Sequence, residues 1–259
     1  MSRDDRRQPC GLSALDAALA AAPTHLVSVD VFDTLLLRST RPEFTRFADV
    51  AKLQDMALGA ASPGRDRLLA SRLATTRRAY QAVRAGTSEQ GEVNFSSILG
   101  EMCEELGLAP ACAAVLEQVE EAYEITMLSP NRRLGTALAR LAATGLPVVA
   151  TSDTPLSAVV VGTLLRRFHP HLALTRIYAS SDVGCTKRDG GLYDHVCRHE
   201  NVSPEHVLHV GDHPWSDCHM AQQRGLRALH LPRPMPWRWL HALRHRLARQ
   251  TLRRRGLIP

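Results

Sequence analysis

The chain has 259 residues, 44% apolar and 22% charged, the balance of an ordinary globular protein rather than a disordered or low-complexity one. No apolar run approaches the ~20 residues needed to cross a bilayer, and Asp16 interrupts the Ala-rich N-terminal stretch, so a first helix is expected there rather than an export signal. The net charge of +6 conceals an asymmetry: from Cys218 onward there are ten arginines and no acidic residue, which leaves 22 basic against 26 acidic side chains before it.

After the first helix, a strand from about His25 to Val31 is predicted within the run VSVDVFDTLL, Val27 to Leu36. A short β-branched run that stops at charge reads as a buried parallel strand whose carboxyl end opens onto a crevice, with Asp30 at its mouth. From Arg41 to about Leu128 the pattern is helical throughout, with no strand expected. Pro42 suits the first turn of a helix to Leu58, and a second runs from Arg65 to Ala85. A loop follows over Gly86 to Asn94, where Asn94 caps a helix that Gly107 closes, and a fourth spans Ala111 to Met127.

From Asn131 helices and strands alternate. A helix to Thr144 leads into the strand LPVVATS, and PLSAVVVGTLLRRF is the next helix. TRIYASS, HVLHVG and LRALHL read as further strands, separated by helices in LYDHVCRHE and in DCHMAQQRG, which Gly225 ends. Such alternation predicts an α/β fold with a doubly wound parallel sheet. The expected division is an α/β core of 1–40 and 129–231, a helical insertion of 41–128 and a basic C-terminal tail of 232–259. In the tail, Pro232, Pro234 and Pro236 form a stiff spacer, and Leu240, Leu243 and Leu247 share one face of an arginine-covered helix. That helix suits an anionic membrane surface, an acidic protein partner or nucleic acid, or else packs on its own domain through Trp237 and Trp239. The six cysteines have no zinc-like spacing and are expected as reduced thiols, which with the absence of an export signal predicts a cytoplasmic protein, peripheral to the membrane if the tail binds there.

Lys187 stands out on composition alone. The chain uses thirty arginines and only two lysines, Lys52 and Lys187, so a lysine in the loop before GGLY implies a need for a compact point charge that a planar fork cannot meet. The acidic candidates have plainer readings when taken singly. Asp30-x-x-Asp33-Thr34 could be an Asx turn, Gly211-Asp212 a turn after a strand, and Ser152, Asp153 and Asp217 helix caps.

Taken together, VSVDVFDTLL, VVATSD, CTKRDGGLYDH and HVGDHPWSD resemble, in order and separation, the four motifs of the haloacid dehalogenase (HAD) superfamily. The resemblance spans Val27 to Asp217 and implies a Rossmann-like core with the helical block as a cap. It makes Asp30 the nucleophile of a phosphatase-type hydrolase that forms an aspartyl-phosphate from a small phosphate ester or anhydride. It assigns one Mg²⁺ to Asp30, Asp212 and the Phe32 carbonyl, and phosphate binding to Ser152, with Thr151 as substitute, and to Lys187. Asp217 would orient the lysine or a metal-bound water. Two alternatives stay open: a metal-independent dehalogenase, and a catalytically weak module that binds a phosphorylated ligand or protein. Both draw on one departure from the pattern. Two residues after the nucleophile the family's phosphatases carry an acid, and here the residue is Phe32, which cannot donate a proton. Asp33, the next residue, falls where the common motif has glycine. His213 beside Asp212 is a further supporting candidate, and the arginines at 77 and 78 could meet an anion or simply face solvent.

Overall fold

A computed structural model describes residues 12–86 and 92–258. The sequence expectations for Cys10, for the residues preceding Leu12 and for most of the 86–94 loop lie outside the described residues. In chain order the elements are α1 (Leu12–Ala20), β1 (Leu26–Val29), β2 (Leu36–Arg38), α2 (Glu43–Leu58), α3 (Arg65–Arg84), α4 (Phe95–Leu106), α5 (Cys112–Met127) and β3 (Leu128–Pro130). They continue with α6 (Arg132–Ala143), β4 (Val148–Ser152), α7 (Ala158–Phe168), β5 (Arg176–Ala179), α8 (Ser180–Val183), α9 (Gly191–His199), β6 (Val207–Gly211), α10 (Ala221–Gln223), β7 (Arg227–His230) and α11 (Met235–Arg254).

Two compact units emerge, one holding 12–38 and 129–234 and the other 39–128 and 235–258. In the first, five strands form a parallel sheet in the order β5-β4-β1-β6-β7. Every residue of β1, β4 and β6 is buried, whereas β5 and β7 at the edges are partly exposed, as expected for a parallel sheet covered by helices on both faces. The chain leaves β1 for β4 and β5 on one side and returns to β6 and β7 on the other. The carboxyl end of β1 is therefore a topological switch point, where open α/β sheets bind ligands.

The helices begin and end for local reasons that the sequence displays. Asn94 and Asn131 accept from the backbone N–H groups of Ser97 and Leu134, and Ser157 caps α7 through Val160. Gly107 closes α4 at φ 66° and Gly225 ends the α10 turn at φ 84°. Three features depart from the expectations. β2 and β3, which flank the helical block of 41–128, pair in a small separate sheet that the sequence reading did not include, because three-residue strands show no periodicity. The helix expected in DCHMAQQRG is instead a π-helical stretch, Pro214–Met220, running into α10. Asp153 does not cap α7, a role taken by Ser157.

In the second unit α2 to α5 pack as a bundle around Val50, Leu69, Ile98, Leu99, Met102 and Leu116. Arg72 is buried beneath it with its guanidinium 2.8 Å from Glu120 and 4.4 Å above the Phe47 ring, so the charge is both paired and stacked. Arg78 is held by Glu101 and Glu105 at 3.1 and 2.7 Å. The expected tail segment is divided: residues 232–234 belong with the α/β unit, and α11, beginning already at Met235, packs against α2. Its inward face carries the buried Leu252, with the His245 ring tilted against Phe44 at 5.5 Å between centroids. Leu252→Ala should therefore destabilise this unit by about 2–4 kcal/mol, while Leu247→Ala on the exposed face should change it by less than about 0.5 kcal/mol, as read from urea unfolding transitions.

Candidate active site

At the switch point the sheet order sets Ser152 and Asp212, which end β4 and follow β6, on either side of Asp30. Asp30 extends the ladder by one bond, its N–H donating to the Val210 carbonyl at 2.9 Å, so its side chain projects from an ordered strand end. Lys187 reaches this carboxylate from the loop between α8 and α9. Its Nζ lies 2.6 Å from Asp30 Oδ1 and 2.7 Å from Asp217 Oδ1, and all three side chains are buried.

Several groups hold the lysine loop and Asp217 in place. Asp153, taken from the sequence as a possible helix cap, instead accepts the backbone N–H groups of Lys187 at 2.6 Å and Arg188 at 3.2 Å. Asp217 Oδ2 accepts the His213 N–H at 2.9 Å, which turns the π-helical stretch back toward β6. Glycine is required at 211, because a Cβ there would overlap the Asp217 carboxylate. His213 offers its Nδ1 to the N–H groups of Trp215 and Ser216, both at 3.2 Å, so its ring caps this turn.

Sequence reasoning missed the layer below. His209, fully buried in β6, faces Asp217 Oδ1 across 3.5 Å and meets Ser28 Oγ at 2.8 Å through Nδ1. Ser28 in turn bonds Thr151, so that hydroxyl is committed inside the sheet and Ser152, buried at the strand end, is the hydroxyl nearer the crevice. The one available signal was a histidine and a serine at the centres of otherwise apolar strands, HVLHVG and VSV.

Burial and charge treat the three aspartates differently. Burial pushes Asp30 up to about 7 against the opposing pull of Lys187. Asp212 is pushed up to about 8, first by burial and then by the negative charges of Asp30, Asp33 and Asp217. For Asp217, burial is outweighed by Lys187 and His209, and the carboxyl is held far below the usual carboxylate range. Burial lowers His209, so it is neutral near pH 7. Carboxylate oxygens of Asp30, Asp212 and Asp217 all lie within 4.8 Å of one another.

This arrangement fits a divalent cation on the Asp30 and Asp212 side. Asp30 Oδ2 is buried without a hydrogen-bond partner, and the two carboxylates oppose each other's ionisation, both of which a hard cation with oxygen ligands would relieve. Asp217 is less suited as a ligand, since both of its oxygens already accept hydrogen bonds.

At the rim, Asp33 adopts φ 65°, the left-handed conformation, which explains why a glycine-type position tolerates aspartate here. Its Oδ1 accepts the Arg38 N–H at 3.2 Å and lies 3.5 Å from Arg233, so the carboxylate serves the turn. Phe32 is buried with the Arg38 guanidinium 3.9 Å above its ring.

A family model for haloacid dehalogenase-like hydrolases matches residues 24–225. The chain belongs to this family. HAD-fold structures align with most of it. A 2-haloacid dehalogenase from Pseudomonas syringae pv. Tomato is 18% identical with a TM-score of 0.54, over 80% of this chain and 86% of that one. A HAD family enzyme from Bacteroides thetaiotaomicron, in complex with magnesium and inorganic phosphate, is 12% identical with a TM-score of 0.51, over 80% and 93%. The putative HAD-hydrolase YfnB from Bacillus subtilis, bound to magnesium, is 18% identical with a TM-score of 0.50, over 79% and 87%. At these identities the similarity establishes the fold of this HAD chain. No curated protein matches the sequence.

The cation fit has a stability consequence. A carboxyl whose folded pKa is raised favours the fold below its unfolded value near 4, and that contribution is lost as pH rises through about 7 for Asp30 and about 8 for Asp212. Mg²⁺ should therefore raise the melting temperature more at pH 8 than at pH 5, where protons already neutralise the pair. Asp212→Asn should largely abolish that rise in a thermal melt, and an equal Mg²⁺ effect in wild type and variant would remove Asp212 from the site.

Proposed function

We propose that this HAD hydrolase is a Mg²⁺-dependent phosphohydrolase that cleaves a small phosphate ester or anhydride through an aspartyl-phosphate on Asp30. The observation that carries the reading is the division of labour around Asp30: Oδ1 is fixed by Lys187, Oδ2 has no hydrogen-bond partner, and Asp212 stands beside it with a raised pKa. A metal-independent dehalogenase would have no use for the second opposed carboxylate, which favours the phosphatase reading. Asp30, Asp212 and the carbonyl of Phe32 would hold the Mg²⁺, whose charge offsets that of the carboxylates and the phosphoryl oxygens.

The residues of the chain then divide the reaction between them. Asp30 forms the bond to phosphorus as the bond to the leaving oxygen breaks, and the leaving group takes the electron pair. Lys187 offsets charge on a phosphoryl oxygen while its second contact, Asp217, keeps the ammonium from swinging away. Ser152 donates a hydrogen bond to the phosphoryl group. Water then attacks phosphorus, releases inorganic phosphate and restores the Asp30 carboxylate. The inserted helices of 41–128 serve as a cap that selects the substrate.

Phe32 shapes what the enzyme accepts. No proton donor stands two residues after Asp30, and Asp33 is engaged by Arg38 and Arg233, so the departing oxygen carries its negative charge away. Good leaving groups such as aryl phosphates, acyl phosphates and anhydrides should react well and alkyl or sugar monoesters poorly. Each unit of leaving-group pKa carries up to ~1.4 kcal/mol of barrier. Hydrolysis of a generic aryl phosphate should require Mg²⁺ and stop with EDTA, and a rate series against leaving-group pKa should be steep. Phe32→Asp should flatten it by placing a proton-donating carboxyl two residues after Asp30. A shallow wild-type slope would show that another group already delivers the proton. Mg²⁺-independent turnover of a haloacid would instead establish the dehalogenase reading.

A further inference from the structure

Packing α11 against α2 leaves a second, outward face that the fold does not use. Along it Trp239 is 70% exposed, Leu243 39% and Leu247 54%, a line of large apolar side chains at successive fourth positions over ~12 Å of helix. Arg246 and Arg254 are exposed on the same outward half, Arg249 is exposed further round the helix, and Arg238 lies one residue before Trp239. Residues 235–259 contain seven arginines and no acidic residue. Arg238 meets the Met235 sulfur, Arg244 meets Thr40 and Arg255 meets Asp66 within the unit.

We propose that this outward face of α11 docks on an anionic lipid surface, lying in the plane of the headgroups with Trp239, Leu243 and Leu247 entering the acyl boundary. Charge complementarity selects this occupant. A second copy is disfavoured, because joining two such stripes would bring two arginine sets together with no acidic residue in the helix to meet them. Nucleic acid would use the arginines but leave Leu243 and Leu247 in water. A lipid surface uses both chemistries at once: phosphates for the arginines, an apolar layer for the leucines, and the interface between them for tryptophan. The helix lies on the bilayer rather than crossing it, since no helix among the described residues is long and apolar enough to span one. Leu240, expected from the sequence to belong to the apolar face, is half-buried, and Trp239 extends the exposed stripe instead.

The test is co-sedimentation of the full chain with vesicles of phosphatidylcholine alone or mixed with phosphatidylglycerol. Binding should appear only with the anionic vesicles and weaken with salt. Arg246→Gln/Arg249→Gln should lower the affinity about 20-fold. Trp239→Ser/Leu247→Gln should lower it about ten-fold or more, with both double variants melting like wild type because all four side chains are exposed. Tryptophan emission should shift to the blue on binding, and Trp239→Phe should bind nearly as well but lose the shift. Equal binding to neutral vesicles, a blue shift that survives Trp239→Phe, or retention by RNA or an acidic protein with no binding to vesicles would each overturn the proposal.

Discussion

A single buried ammonium organises the α/β unit. Lys187 Nζ sits between Asp30 and Asp217 at 2.6 and 2.7 Å, all three side chains are buried, and its charge pulls both carboxyls down against their burial. Burying one lysine without partners would cost several kcal/mol, so the surroundings are arranged to keep both contacts short. Asp153 fixes the loop that delivers the lysine, Gly211 leaves room for the Asp217 carboxylate, and the π-helical turn after β6 returns Asp217 to the sheet. His209, Ser28 and Thr151 fill the strands beneath with polar groups that support one another.

The same cation separates the roles of three aspartates that look alike in sequence. Asp217 gains most from Lys187 and stays ionised, which makes it an anchor. Asp30 has only one oxygen satisfied, and Asp212 lies beyond the lysine's strongest influence, among like charges. Burial and like charge raise both of these neighbouring carboxyls at the open end of the sheet, which a bound cation would relieve. Phe32 belongs to the same economy of charge: its ring, covered by Arg38, adds neither a proton nor a third carboxylate to this crowded strand end.

Much of this was legible in the sequence where local chemistry decides structure. Apolar runs ending in Asp30, Ser152 and Gly211-Asp212 marked the central strands, and Asn94, Gly107 and Gly225 marked helix ends. Lys187 was conspicuous because the chain otherwise avoids lysine. What escaped depends on contacts far apart in the chain. Asp153 reads as a helix cap until the 187 loop folds against it, and His209 reads as one of many histidines until Asp217 is brought above it. His213 caps a π-helical turn, a geometry with no periodicity of its own. The small β2–β3 pair was likewise invisible, since three residues carry no alternation to detect. For α11 the arginines were plain, but which leucines face inward was decided by packing on α2.

On the proposed mechanism Asp30 becomes covalently phosphorylated during turnover. Rapid acid quenching of the enzyme turning over an aryl phosphate with Mg²⁺, followed by peptide mass mapping, tests it directly. A hydroxylamine-labile phosphoryl group should appear on the peptide that contains Asp30, and Asp30→Asn should carry none and release no phosphate. Phosphate release with no label on that peptide, or a label on another residue, would contradict it.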